Sequence, residues 1–321
     1  MANHHPMVSS RLVVGLGLLA SSLANPCTKK DVAPDPSGES ATWSLAGCTS
    51  LDLSCPPMDA AAEASPCNNS LAKGDIDSLA LALGESSGTL NSIELRGNWL
   101  GPHGANLLSK ALAGHASLTS LGLASCRAGD YGIMALVKVL LTSAPPQLER
   151  VDLSHNSVGD VGARELSTLL EADALPKLIE ADLSWNGIGP RGGRYLGTAL
   201  ARNTGLQSLK LDWNGLMDRG ARAIGEGLAT NSGLQTLSLE HNAIKNEGGR
   251  ALAQGLRTNG ALKVRALHTP WDIRWTGLTH CYRTPHTWHL TTPQSAGAAA
   301  RLERHLARGA AGGRHRYRVD A

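Results

Sequence analysis

The sequence predicts an α/β solenoid, an arc with a parallel sheet on its concave side and helices on its convex side. Three observations predict it. Leucines open successive units at Leu90, Leu118, Leu148, Leu178, Leu206, Leu234 and Leu262, at spacings of 28, 30, 30, 28, 28 and 28 residues. Within a unit the apolar period changes: in Leu206–Thr230, alternate residues Leu209 and Leu211 give way to Ile224 and Leu228, four apart. A period near two marks a strand and one near four a helix, so each unit is one strand and one helix. Asparagine and glycine also recur in register between the two segments. A unit that cannot bury its apolar face alone must stack on copies of itself.

Each element follows from its column. In the strand, residues such as Leu209 and Leu211 point into the core while their neighbours point outward. Where the chain leaves the strand stand Asn98, Asn156, Asn186, Asn214 and Asn242. An asparagine there can bond backbone groups that the turn leaves unpaired. Cys126 holds the second unit's place in that column and is expected to be a small apolar substitute. Next come Gly101, Gly129, Gly159 and Gly189, expected at positive φ, with Met217 and Lys245 breaking the column. Gly104, Gly132, Gly162, Gly192, Gly220 and Gly248 then let the helix start close to the strand. The helix shows its apolar face as pairs such as Leu108/Leu112 and Leu196/Leu200. In the two 30-residue units the extra pair falls after the helix, near Pro145, Pro146 and Pro176, and a loop is expected to absorb it.

The pattern LxxLxLxxN/CxL, followed by GxxGA and a helix, resembles the leucine-rich repeat family over residues 90 to 267. The long units resemble its ribonuclease-inhibitor-like subtype, also found in NOD-like receptor repeats. The resemblance implies a leucine-rich repeat solenoid, or horseshoe, that binds proteins on its concave sheet.

Four segments are expected along the chain. Residues 1–24 read as a signal peptide: Arg11 precedes the apolar run Leu12–Ala20, and Ser22, Leu23 and Ala24 resemble a cleavage site. Residues 25–68 form a cysteine-containing cap or leader with Cys27, Cys48, Cys55 and Cys67, and three pairings are open to them. Asn68-Asn69-Ser70 is a glycosylation sequon. Residues 69–267 hold one degenerate unit, six complete ones and a truncated one, with Leu51 and Leu53 available as a substitute first strand. Residues 268–321 form a basic tail expected to lack regular structure. The leader points to the secretory pathway; the subtype it resembles is mostly cytoplasmic, and the sequence leaves both open.

Composition narrows the function. Phenylalanine is absent and aromatics are 3%, so leucine, alanine, isoleucine and valine must fill the core. Residues 1–263 carry 21 basic and 24 acidic side chains, and 264–321 carry nine arginines and three acids. The repeats are mildly acidic, and a net charge of +3 does not indicate nucleic acid. No run is long enough to span a bilayer. Gly189–Arg194 has the look of a phosphate loop but lacks its Gly-Lys-Ser/Thr ending, and GxSxG and HExxH are absent. His280, Cys281, His286 and His289 match no familiar zinc spacing. No cofactor, metal site or enzymatic activity is expected.

The outward strand positions therefore carry the function. They supply Glu94, Arg96, Asp152, Asp182, Asp212 and Glu240, and the position before the asparagine supplies His155, Trp185, Trp213 and His241. Tryptophan is enriched at interface hot spots, and carboxylates beside it select a basic partner. These ten residues are the candidate partner site of a monomeric protein-binding module. Two alternatives come from the resemblance alone: a regulator of a small GTPase, as in Ran GTPase-activating proteins, and the sensing fragment of an NOD-like receptor-type immune protein.

Overall fold

The computed structural model describes residues 26–33, 43–45, 47–55, 71, 73–86, 89–113, 115–143, 145–172, 174–262, 264–267, 281–283 and 288–290, with backbone alone at 30, 73 and from 264 onward. The leader at 1–24, the sequon, Cys67 and residues 291–321 lie outside them.

Strands and helices alternate: β1 (Pro26–Cys27), α1 (Lys29–Val32), β2 (Ser50–Asp52), α2 (Lys73–Glu85), β3 (Ser92–Glu94), α3 (Gly101–Ala111), β4 (Ser120–Gly122), α4 (Gly129–Ser143), β5 (Arg150–Asp152) and α5 (Asp160–Glu171). They continue as β6 (Glu180–Asp182), α6 (Pro190–Leu200), β7 (Ser208–Lys210), α7 (Met217–Thr230), β8 (Thr236–Ser238), α8 (Asn246–Thr258), β9 (Val264–Leu267), β10 (Cys281–Arg283) and β11 (Trp288–Leu290). One sheet runs in chain order from β1 to β9, all parallel, as the repeat predicts. Each strand pairs in register with the next, so Ser92, Ser120, Arg150, Glu180, Ser208 and Thr236 stand side by side. Leu51 and Leu53 do enter the core, with β2 pairing β3. Beyond β9 the hairpin β10–β11 adds antiparallel and covers its edge, inside the segment expected to lack regular structure. The hairpin pairs the outer side of β9 and leaves β10 as the edge strand.

The asparagine column is a hydrogen-bonded ladder. Asn156 Nδ2 donates to the Leu123 carbonyl of the preceding unit at 2.7 Å, and its Oδ1 accepts from Ala128 N–H at 3.0 Å. Asn98, Asn186, Asn214 and Asn242 repeat both bonds. Cys126 is more than an apolar filler, since its thiol donates to the Leu95 carbonyl at 3.2 Å. Burial pushes that thiol's pKa up to about 12, so it remains protonated as the donor. A second ladder lies at the other end of the units. Asn203, Asn231 and Asn259 each stand three residues before an opening leucine, donate to Leu170, Leu200 and Leu228, and accept from the amides of Leu206, Leu234 and Leu262.

The turns into the helices are of two kinds, and glycine does not choose between them. Gly101, Gly129 and Met217 have φ of +61°, +60° and +52°. Gly159 and Gly189, expected at positive φ, instead have φ of −100° and −91°, and Lys245 has −106°. The residue one place on in the preceding unit decides. Asp130, Asp160 and Asp218 each accept two backbone N–H bonds from the next unit: Gly159 and Gly162, Gly189 and Gly192, Lys245 and Gly248. Each carboxylate caps its neighbour's helix and draws the turn into the extended conformation. Where Pro102 and Pro190 replace the aspartate, the next turn is left-handed, and the amides of Gly129 and Met217 bond the carbonyls of Asn156 and Asn242 instead.

Two packing details depart from expectation. The extra pair in the second unit lengthens α4, which ends three residues past Leu140, so the helix takes up part of it. In the C-terminal half, α6, α7 and α8 meet through glycine. A Cβ on Gly227 would lie 2.1 Å from the Gly197 carbonyl oxygen, and one on Gly255 1.9 Å from that of Gly225. Helices in backbone contact sit closer than side-chain-separated ones, and the difference between helix and strand spacing that bends the stack shrinks there.

Candidate functional site

The residues before the asparagine column end each strand in the left-handed conformation. His155, Trp185, Trp213 and His241 have φ of 55°, 56°, 52° and 54°. Their position in the sheet holds them there: the amides of His155, Trp185 and Trp213 donate to the carbonyls of Ser184, Asp212 and Glu240 in the next unit at 3.0, 2.7 and 2.8 Å. A non-glycine residue at positive φ is uncommon, and here it recurs unit after unit. Ser125 in the second unit has the same φ, 57°.

Identical backbone geometry repeated at the sheet pitch superposes the side chains. His155, Trp185, Trp213 and His241 form one continuous stack, with ring centroids 4.9, 4.2 and 3.8 Å apart and planes 12°, 13° and 18° from parallel. Ring faces are spent on one another and ring edges turn to solvent. Trp185 and Trp213 remain 46% and 43% exposed, although stacking buries their faces. Burial and the nearby Arg96 hold the His155 pKa below its ordinary value. That favours a neutral imidazole in the stack.

Behind the stack runs a row of outward carboxylates. Asp152 and Asp182 are paired across β5 and β6, and Lys210 follows in the same register. Lys210 Nζ lies 3.3 Å from Asp182 Oδ2 and 3.5 Å from Glu180 Oε1. Partial burial works against its charge, but Asp182 and Glu180 outweigh this and raise its pKa. Asp212 turns inward to structure: its Oδ1 accepts from Ser238 Oγ and from Glu240 N–H at 2.6 Å. Asp152 and Asp182 similarly accept from the amides of Ser154 and Ser184.

Glu94 and Arg96 stand two units from the stack's first ring. Glu94 lies across Gly122, whose missing side chain leaves it room. Desolvation raises its pKa, and Asp152 and Asp52 add to the shift. The structure thus brings His155, Trp185, Trp213 and His241 into one body, sets Asp152 and Asp182 beside it, and ties Asp212 and Glu240 to each other. Glu94 and Arg96 sit at the edge, in electrostatic reach of Asp152 and His155. Outside these ten residues, Trp99 is 58% exposed with the Arg127 guanidinium 3.8 Å above its ring. The signal for it was present in sequence, since Trp99 and Arg127 occupy the same place in adjacent units.

No metal-holding group of three or more His, Cys, Asp or Glu occurs among the described residues, and none of their helices is long and apolar enough to cross a membrane. The carboxylates lie on an open sheet face with ion-pair or amide partners. Such a surface offers recognition by charge and by aromatic edge.

Residues 145–167, 175–197, 202–225 and 230–253, four consecutive units, match the family described as Leucine Rich repeat. Among solved structures the chain is similar to the tropomodulin C-terminal domain of Caenorhabditis elegans, at 15% identity and a TM-score of 0.39, over 49% of this chain and 92% of that one. It is also similar to leiomodin-1 actin-binding site 2, at 17% identity and a TM-score of 0.30, over 39% and 72%. No curated protein matches the chain in sequence.

Proposed function

We propose that this chain, a leucine-rich repeat protein, works as a non-enzymatic interaction module that takes a protein partner on its concave face. One observation carries the reading: the stack His155–Trp185–Trp213–His241 presents two large, half-exposed indoles on a rigid strand end, where no internal packing demands tryptophan. Aromatic side chains ordered before binding contribute contact area without a further entropic cost, and such anchors dominate interface energies. The units' length, 28 to 30 residues with a helix in each, supports the ribonuclease-inhibitor-like kind of repeat. Catalysis finds little support in carboxylates that lie open to water or already accept backbone bonds.

The test is recovery of partners from the native source by the immobilised protein and by the Trp185→Ser/Trp213→Ser variant. Serine occupies this position as Ser125, so the fold tolerates it. Partners captured by the parent and lost at least tenfold by the variant support the site. Equal capture by a variant that still unfolds in one cooperative transition removes the concave stack from the function.

A further inference from the structure

The stack has a pitch, and the pitch selects what can lie along it. Its rings step by 4.9, 4.2 and 3.8 Å along the sheet. An extended partner strand running the same way repeats its side chains on one face only every two residues, about 6.6 Å. Side chains at i, i+3 and i+4 on a helix stand about 5–6 Å apart, nearer to the rings' own step. A helix is also about 10 Å across, wide enough to cover both the ring edges and the carboxylate row a few residues back on the same strands.

Charge supplies the second constraint. Outward positions of the last four complete units carry Asp152, Glu180, Asp182, Asp212 and Glu240 against Arg150 and Lys210, five acids to two bases. At its first ring the stack is uncharged, since burial lowers the His155 pKa. A matching helix therefore has an apolar ridge with basic residues along one flank. From the ring spacing and the adjacent carboxylates we infer that the partner presents a basic amphipathic helix, lying across the strands with its apolar ridge on the Trp185 and Trp213 edges and its lysines or arginines toward Asp152 and Asp182.

This rests on the concave-face reading and names the partner's shape and charge. In the complex the apolar ridge covers indole edges that water now wets, and the basic flank adds to the charge that Lys210 already sets against Asp182 and meets Asp152 beside it. Binding is accordingly salt-sensitive, since part of it is attraction between exposed charges.

Three synthetic peptides of about 18 residues, long enough for an alanine-rich helix in water, test it on the full chain by isothermal titration calorimetry, a readout that the tryptophan variants leave intact. The first carries leucine at i, i+4 and i+7 with lysine on one flank. The second is its scramble, and the third alternates leucine with lysine around a central proline and cannot form the helix. Saturable binding of the first, at least tenfold tighter than the other two and weakened at least tenfold both by Trp185→Ser/Trp213→Ser and by Asp152→Asn/Asp182→Asn, is the expected result. If the alternating peptide binds as tightly, still depending on both tryptophans, the helix is wrong while the concave site stands. If the first peptide binds no better than its scramble, or binds the tryptophan variant equally well, the inference is overturned; native partners still lost by that variant would leave the broader reading intact. A Trp185→His/Trp213→His variant, made of the ring type that ends the stack at both sides, replaces the serine variant if that fails to fold.

Discussion

The indole of Trp185 lies 4.2 Å from that of Trp213, centroid to centroid, with the planes 13° apart. Both rings project from left-handed backbone whose amide is bonded into the next unit, so their Cα–Cβ bonds are held side by side at the sheet spacing. Aromatic pairs of this kind contribute about 0.5–1.5 kcal/mol beyond their area. A double-mutant cycle with Trp185→Ser and Trp213→Ser, read by urea denaturation, should return a coupling of about 1 kcal/mol at this site. Additive losses would mean that the rings stack without stabilising one another.

The aspartate rule for the turns gives a second expectation. Asp160 Oδ1 accepts from Gly189 and Gly192 at 2.8 and 2.7 Å. Asp160→Ala should cost about 0.5–2 kcal/mol, the range for a lost helix cap, and Asp160→Asn, which keeps the acceptor, should cost much less. The complementary change is Met217→Gly. Met217 holds φ at +52° with its side chain 53% exposed, so little packing would be lost. A left-handed L-residue costs about 1–2 kcal/mol and glycine's extra freedom returns about 0.5–1 of it, leaving a gain of about 0.5 kcal/mol. A thermal melt that falls on Met217→Gly would contradict this.

Columns of one residue type were legible because stacking forces identical neighbours to meet: the strand leucines and Asn98 to Asn242 stand where their spacing placed them. Asn203, Asn231 and Asn259 were equally regular, but His115, Pro145 and Leu175 fill that column in earlier units and hid it. The turns at Gly159 and Gly189 were misread because their conformation depends on an aspartate about 29 residues back, a contact no local pattern reveals. Glycines such as Gly197 and Gly227 serve the neighbouring helix. The tryptophan column was visible in sequence; its stacking was not, because it needs the positive φ that only the sheet's lateral bonds impose.

One strand carries a small alanine where its neighbours in the core carry leucine, isoleucine or valine. Ala181 stands beside Val151 and Leu209, and with Leu153, Leu178 and Leu183 it borders an apolar cavity of about 30 Å³. At roughly 24 cal/mol per Å³ of void, filling it is worth about 0.7 kcal/mol. Ala181→Val should raise the unfolding free energy read from a urea titration by that amount, with the midpoint moving up and the m-value unchanged. A fall would show that the void closes by relaxation and has no room for two methyl groups.

Glu94 gives the pH expectation. Its carboxylate is desolvated over Gly122 and faces Asp152 and Asp52, so its folded pKa lies above the ordinary 4.5. A raised folded pKa means the folded chain holds this proton more tightly than the unfolded chain does. The group's contribution to stability is then fully present below 4.5 and is lost as pH rises through the folded value. Glu94→Gln removes the charge and keeps the shape. The variant should unfold at a higher urea concentration than the parent at pH 7, and the two midpoints should converge at pH 4. A difference that persists at pH 4 would assign the effect to packing. A cation placed against Glu94 by a bound partner would reverse the sign, so the same pair of variants should show proton release from the parent alone when such a partner binds at a pH between the ordinary 4.5 and the raised folded value, measured by calorimetry in buffers of different ionisation heat.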